Sequence, residues 1–294
     1  MPHIKTSDGV QLYYEETGEG APLIFLHEFG GHYLSWEAQV RYFSRRYRCI
    51  AYAARGWPPS DVPDDVARYS QARAADDCAD LMTALGLSTA HLCGLSMGAT
   101  AALEFAIRHP GKATALVIAA GGGGGATDAE AKKRFKEECE GFARRIEQEG
   151  MPAMAELYCT SSARATYRTK DPRGWAEFKQ QFADGSAKGH AMTMRGVQGG
   201  RVPFFERTEA LKKIAEPMLV VIGDEDESTH GLAVHLKQHV SRCGVLELPK
   251  CGHTMNLEEP AAFNSAMQDF LHAVENDRWL ARGAKTYTLI PPSR

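Results

Sequence analysis

The chain has 294 residues, 44% of them hydrophobic and 24% charged, with a formal net charge of -3. That length suits one large core domain carrying an inserted subdomain, and the composition excludes wholesale disorder. The weak charge gives no reason to expect nucleic acid or an anionic membrane as partner, and no run reaches the roughly 18 apolar residues of a spanning helix.

Residues 10–17 (VQLYYEET) alternate like an edge strand. Residues 23–27 (LIFLH) and 49–53 (CIAYA) are continuous apolar runs, the mark of strands covered on both faces. Between them Trp36, Val40, Phe43 and Tyr47 recur at i, i+4, i+7 and i+11, one face of a helix. Ala74, Cys78, Leu81 and Leu85 repeat that spacing before a third run, His91-Leu92-Cys93. A helix over 96–109 and a strand over 115–119 follow. This alternation predicts an α/β fold with a mainly parallel eight-stranded sheet and helices on both faces.

The pattern breaks at five glycines, 121–125, which read as a flexible hinge. Residues 121–212 carry helical, charged sequence with no strand pattern and are read as an inserted α-helical lid. Residues 1–120 and 213–294 form the core. The alternation resumes with a strand at 218–222 (MLVVI), a helix at 231–240 and a strand at 245–248. A last helix shows Phe263, Met267, Phe270 and Val274 on one face. The tail from 277 to 294 has no role assigned from its sequence.

Gly94-Leu95-Ser96-Met97-Gly98 follows a strand and opens a helix. A serine presented on so sharp a turn needs small flanking residues, because side chains there would clash. The backbone N–H of Met97, at the helix N-terminus, is then available to a developing oxyanion. An alcohol of high pKa needs a base, and the base needs an orienting acid. Gly223-Asp224-Glu225-Asp226 and Cys251-Gly252-His253 each follow a strand, so they reach the same sheet edge as Ser96. There, at the carboxyl ends of parallel strands, open α/β sheets bind ligands.

In this ordered set the chain resembles the α/β-hydrolase family, in particular its lidded esterase, epoxide-hydrolase-like and carbon-carbon hydrolase branch. His27-Glu28-Phe29-Gly30-Gly31 resembles the oxyanion loop, normally H-G-x-G-G. Arg55-Gly56 with Ser60-Asp61 matches the next strand's loop, and Gly94 to Gly98 the nucleophile elbow. Gly223 with Asp226 matches the acid loop. Gly252-His253 with Asn256-Leu257-Glu258-Glu259-Pro260 matches the histidine loop. The resemblance covers about residues 5–120 and 213–275. It implies Ser96 as nucleophile, His253 as base, Asp226 rather than Asp224 as acid, and the N–H of Phe29 as second oxyanion donor.

Two positions depart from the family. Glu28 stands where glycine is usual, and Ala53 where aspartate is common two residues before Arg55. The expectation is that the carboxylate partner of Arg55 has moved to Glu28, with a Glu28 that merely faces solvent as the alternative. Glu28, Trp57, Phe204 and Phe205 are the candidates to line the substrate pocket. Basic residues of the lid, Arg164 and Arg201 among them, read as solvated faces, a subset of which could meet an acidic substrate.

Other signals are set aside. His27-Glu28 with His32 lacks the spacing of a zinc-protease helix, and no carboxylate or cysteine completes a metal set around His230, His235 and His239. Seven scattered cysteines without a C-x-x-C pair predict idle thiols in a reduced, cytoplasmic protein.

The sequence therefore predicts hydrolysis of a carboxylic ester or lactone of a small-molecule substrate through an acyl-enzyme, with no metal, no organic cofactor, and no nucleic-acid or membrane partner. A homo-oligomer is left open. The rival chemistries are carbon-carbon hydrolysis of a ring-cleavage diketone with the same triad, and a cofactor-free oxygenation in which Ser96 matters little. A non-catalytic ligand receptor is the rival outside enzymology.

Overall fold

The computed structural model describes residues 2–122 and 128–283. Eight strands form one sheet: β1 (His3–Lys5), β2 (Gln11–Thr17), β3 (Ala21–Leu26), β4 (Tyr47–Tyr52), β5 (Ala90–Leu95), β6 (Ala113–Ala119), β7 (Met218–Gly223) and β8 (Cys243–Leu248). Their spatial order is β1-β2-β4-β3-β5-β6-β7-β8. The two pairings at the β1 edge are antiparallel, and the other five are parallel. The apolar runs at 23–27, 49–53 and 218–222 are central strands, as their lack of alternation predicts. β1, only three residues long, leaves no periodic signal.

Alternate residues of these strands feed two cores. Ile24, Leu26, Ile50, Leu92, Leu116, Ile118, Val220 and Ile222 face one way. They pack on α2 (Gln71–Ala84), α3 (Met97–Arg108) and α9 (Glu227–His239). Leu23, Phe25, Cys49, Cys93, Val117, Leu219 and Val221 face the other way, onto α1 (Glu37–Phe43) and α11 (Pro260–Glu275). The helix predicted around Trp36 and Tyr47 is shorter than its apolar spacing. Trp36 sits in a 3-10 turn (Tyr33–Trp36), and Tyr47 already belongs to β4. α9 begins four residues before the predicted start, with Glu227 in its first turn, where a negative charge suits the helix dipole.

Between β6 and β7 the described chain is helical, in keeping with the missing strand pattern: α4 (Ala129–Cys159), α5 (Ala165–Lys170), α6 (Pro172–Ala183), α7 (Ala187–Thr193) and α8 (Thr208–Leu211). Gly150, at φ 80°, kinks α4 just before Pro152. A single π-turn, Met194–Gln198, follows α7. Of the glycine hinge, residues 123–125 lie outside the described residues, as does the tail from 284. The start of the tail docks on the core: Trp279 packs edge-on against Phe270 at 4.7 Å, and its indole N–H donates to the Arg242 carbonyl. No described helix is long and apolar enough to cross a membrane.

Candidate active site

The parallel registers bring the carboxyl ends of β3, β5, β6, β7 and β8 to one edge of the sheet, and the singled-out residues lie just beyond these ends. Ser96 joins β5 to α3 with φ 52° and ψ -107°, a strained conformation for a residue with a side chain. Its backbone N–H donates to the Ala119 carbonyl at the end of β6. The small neighbours are required. A methyl group on Gly94 would run into the Gly98 carbonyl, and one on Gly98 into the carbonyl of Leu26 on β3. The turn thus holds Ser96 partly exposed at the top of the sheet, with Met97 buried behind it.

Of the two aspartates after β7, Asp226 meets the histidine. Its Oδ2 lies 2.5 Å from His253 Nδ1, and its Oδ1 accepts from Ser228 Oγ at 2.8 Å. A carboxylate only accepts, so Nδ1 carries the proton and Nε2 is left as the basic nitrogen. Burial acts to raise the Asp226 carboxyl, but the hydrogen bond and charge of His253 outweigh it and hold the group below its ordinary value. Asp224 instead caps the histidine loop, accepting from the Cys251 N–H at 3.1 Å.

The His253 loop is fixed by two carboxylate oxygens of Glu258. One accepts from Gly252 N–H, the other from Thr254 N–H and Oγ1. The helical insert grips the same loop: His253 N–H donates to Ala163 O at 2.8 Å, and Thr166 Oγ1 to Glu258 at 2.6 Å. Nδ1 thus touches the β7 loop, while Nε2 lies 3.9 Å from Glu28 Oε2 beyond β3. In the sheet order β5 and β6 lie between β3 and β7. The imidazole therefore has neighbours from the loops after β3 and β7, which flank the elbow's strand on either side. Among the described residues the Ser96 hydroxyl donates to no side chain; without substrate such bonds are commonly long and tighten only in the complex.

The expectation that Glu28 partners Arg55 is wrong. Arg55 is held in bidentate fashion by Asp77 of α2, at 2.7 and 2.6 Å, and by Asp8, at 3.0 Å through two nitrogens. Two aspartates distant in sequence supply what Ala53 lacks. Glu28 turns to the insert, where its Oε2 accepts from Arg164 Nη2 at 2.6 Å and from the Tyr158 hydroxyl at 3.4 Å. Arg164 also donates to the Tyr158 oxygen, and its guanidinium lies 4.0 Å over that ring. Both charges are nearly sealed from solvent, at 1% exposure for the Glu28 side chain and 5% for Arg164.

The pocket candidates separate. Phe29 is buried and packs edge-on against Trp57, Tyr158 and His190, with Phe182 tilted beside it, so it anchors the loop after β3 to the insert. Trp57 is buried between His27 and His190 and lines a cavity of about 160 Å³ together with Gly31, His32 and His190. Phe204 and Phe205 are not pocket residues. Phe204 is fully buried in the core cluster that includes Leu211, Leu232 and Leu236, and Phe205 packs on His235 of α9. Their position at the end of the insert, just before α8, ties them to the sheet's flank.

Two buried histidines close this region. His27 Nδ1 donates to Glu28 O at 2.7 Å and its Nε2 accepts from Ala54 N–H at 3.0 Å, which joins the ends of β3 and β4. Burial lowers its pKa from 6.5 to about 3, and that of His190 to about 4. Unfolded chains bind these protons near pH 6.5 and the folded state refuses them, so the stability is full above 6.5 and is lost as pH falls towards 4 and below. From pH 7 to pH 5 the two groups together should remove about 4 kcal/mol. Urea unfolding at the two pH values measures this, and equal midpoints would contradict it.

Sequence reading missed Arg164 and Tyr158 as partners of Glu28. The one available signal was Glu28 itself: a carboxylate in a glycine's place beside an oxyanion loop demands a counter-charge. Arg201, read from the sequence as part of a solvated face, is instead buried: its Nε has no partner, and burial lowers its pKa to about 10. No carboxylate pairs with Arg201 among the described residues; its Nη atoms reach Gly122 O, just past β6, and the Gln198 side chain.

Comparison with known proteins agrees with this architecture. The chain is 26% identical over 266 residues to 3-oxoadipate enol-lactonase 2 of Acinetobacter baylyi, covering 90% of this chain and 94% of that one. Its fold matches a thermophilic esterase from Thermogutta terrifontis with a TM-score of 0.80 at 25% identity, over 93% and 98% of the two chains. It also matches the enol-lactonase from Burkholderia xenovorans with a TM-score of 0.78 at 24% identity, over 92% and 100%. The profile of the alpha/beta hydrolase family covers residues 23–266. This chain belongs to the alpha/beta hydrolase family.

Proposed function

We propose that the chain is a serine hydrolase that cleaves a carboxylic ester or lactone through an acyl-enzyme. The observation that carries this reading is the imidazole of His253, bonded to Asp226 through Nδ1 with Nε2 left basic, at the same sheet edge where β5 ends in a strained Ser96. His253 Nε2 takes the proton of the Ser96 hydroxyl as its oxygen attacks the substrate carbonyl. Asp226 steadies the imidazolium, and the N–H groups of Phe29 and Met97 receive the oxyanion. His253 returns the proton to the leaving alcohol. Water then repeats the sequence and frees the acid. These steps call for no metal or organic cofactor. Residues 121–212 act as the lid over this site, and the substrate is a small molecule met in the cytoplasm, with no nucleic acid or membrane involved. The enol-lactonase relative, matched over nearly its whole length, supports including lactones.

The test is a panel of short 4-nitrophenyl esters and lactones beside a vinylogous diketone of the ring-cleavage type. Ester or lactone turnover at least about 100-fold above that of the diketone is expected. The reverse preference would replace this reading with carbon-carbon hydrolysis.

A further inference from the structure

Glu28 occupies a place where a bare carboxylate would oppose catalysis, because negative charge develops on the substrate oxygen beside its loop. Here Arg164 cancels that charge at 2.6 Å, so the oxyanion site sees a neutral pair. The pair leaves one oxygen unused. Glu28 Oε1 is buried and has no hydrogen-bond partner, and an unsatisfied buried acceptor costs about 1–3 kcal/mol. The other oxygen stands 3.9 Å from His253 Nε2, too far for a direct bond. One water placed within about 2.8 Å of each group spans such a gap. Water differs from an alcohol in having two protons to place, and this corner offers two acceptors: the free nitrogen of the base and the carboxylate oxygen 3.9 Å from it.

We propose that Glu28 is a catalytic residue that holds the hydrolytic water against His253 during deacylation. The inference rests on the acyl-enzyme reading above. The water oxygen attacks the acyl carbon, one of its protons passes to His253 Nε2, and the other stays hydrogen-bonded to Glu28 Oε2, the carboxylate oxygen nearer the base. The tetrahedral intermediate collapses with cleavage of the bond from carbon to Ser96 Oγ. His253 then returns its proton to Oγ, and the carboxylic acid leaves and ionises. Arg164 and Tyr158 are positioning residues, fixing the carboxylate from the insert. Acylation uses no water, so Glu28 acts on the second half-reaction alone.

The test is pre-steady-state hydrolysis of 4-nitrophenyl acetate by the wild type and by Glu28→Gln, with and without added methanol. The expected result is a wild-type burst, an unchanged burst rate within about 3-fold in the variant, and deacylation slowed about 10- to 100-fold. Methanol has a single proton, which His253 accepts alone, so the ratio of methyl acetate to acetate rises at least about 10-fold in the variant. Equal slowing of both half-reactions, or an unmoved ratio, overturns the proposal. Because Glu28→Gln strands the buried Arg164 charge, the same readings are taken on Glu28→Gln with Arg164→Met, which removes both charges. Loss of all folding in that pair would assign Glu28 a structural role and also overturns the proposal. A wild type without any burst defeats the acyl-enzyme reading, and the inference with it. A burst with unmoved partition defeats the Glu28 inference alone.

Discussion

Replacing Ser96 by alanine is expected to lower kcat for ester hydrolysis by about 10⁴- to 10⁶-fold, the loss that follows when a nucleophile acting as one unit with its base is removed. The fold should not suffer. The Ser96 hydroxyl donates to no side chain among the described residues, and alanine at φ 52° is strained no more than serine. Folding free energy should therefore change by less than about 1 kcal/mol. Initial rates, with urea unfolding as control, check both halves. A variant that keeps a tenth or more of the activity would point to the oxygenase-type reading, in which His253 and Asp226 deprotonate the substrate and Ser96 is incidental.

The second large effect lies in stability. Arg164→Met leaves Glu28 buried without the guanidinium that pairs it, and breaking one member of a buried pair costs about 3–5 kcal/mol. The tyrosine at 158 also loses its donor and its cation. The cost should be coupled rather than additive. With Glu28→Gln and Arg164→Met combined, most of the loss returns, because neither charge is then stranded. Denaturant midpoints of the two single variants and the double variant give the coupling, expected to exceed about 2 kcal/mol. Simple additivity would mean that the two side chains stabilise the protein through unrelated contacts.

What the sequence revealed and what it hid follow from the range of the interactions. The elbow is a local object: Gly94, Ser96 and Gly98 lie within five residues, and the clashes that demand glycine arise from the turn and the adjacent strand. The loops of Asp226 and His253 were legible because each follows a strand, and parallel strands bring their carboxyl ends together. Asp226 was separable from Asp224 only through the family resemblance; the geometry gives each a different partner. Glu28 was visible as an anomaly, but its partner was not. Arg164 lies 136 residues away, in an insert whose charged helices carry no signal of which arginine turns inward. Arg55 misled in the same way, since Asp8 and Asp77 reach it from a loop and from α2. Phe204 and Phe205 failed as pocket residues because aromatic content alone does not tell a cavity wall from a core.

The central claim is that Ser96 is the residue made nucleophilic by His253, and active-site labelling tests it most directly. The wild-type protein is treated with a fluorophosphonate, and the adduct is mapped by peptide mass spectrometry. One adduct is expected, on the peptide bearing Ser96, formed in step with loss of hydrolysis and absent from His253→Ala. Hydrolysis that persists with no adduct, or with the adduct on another residue, would contradict it.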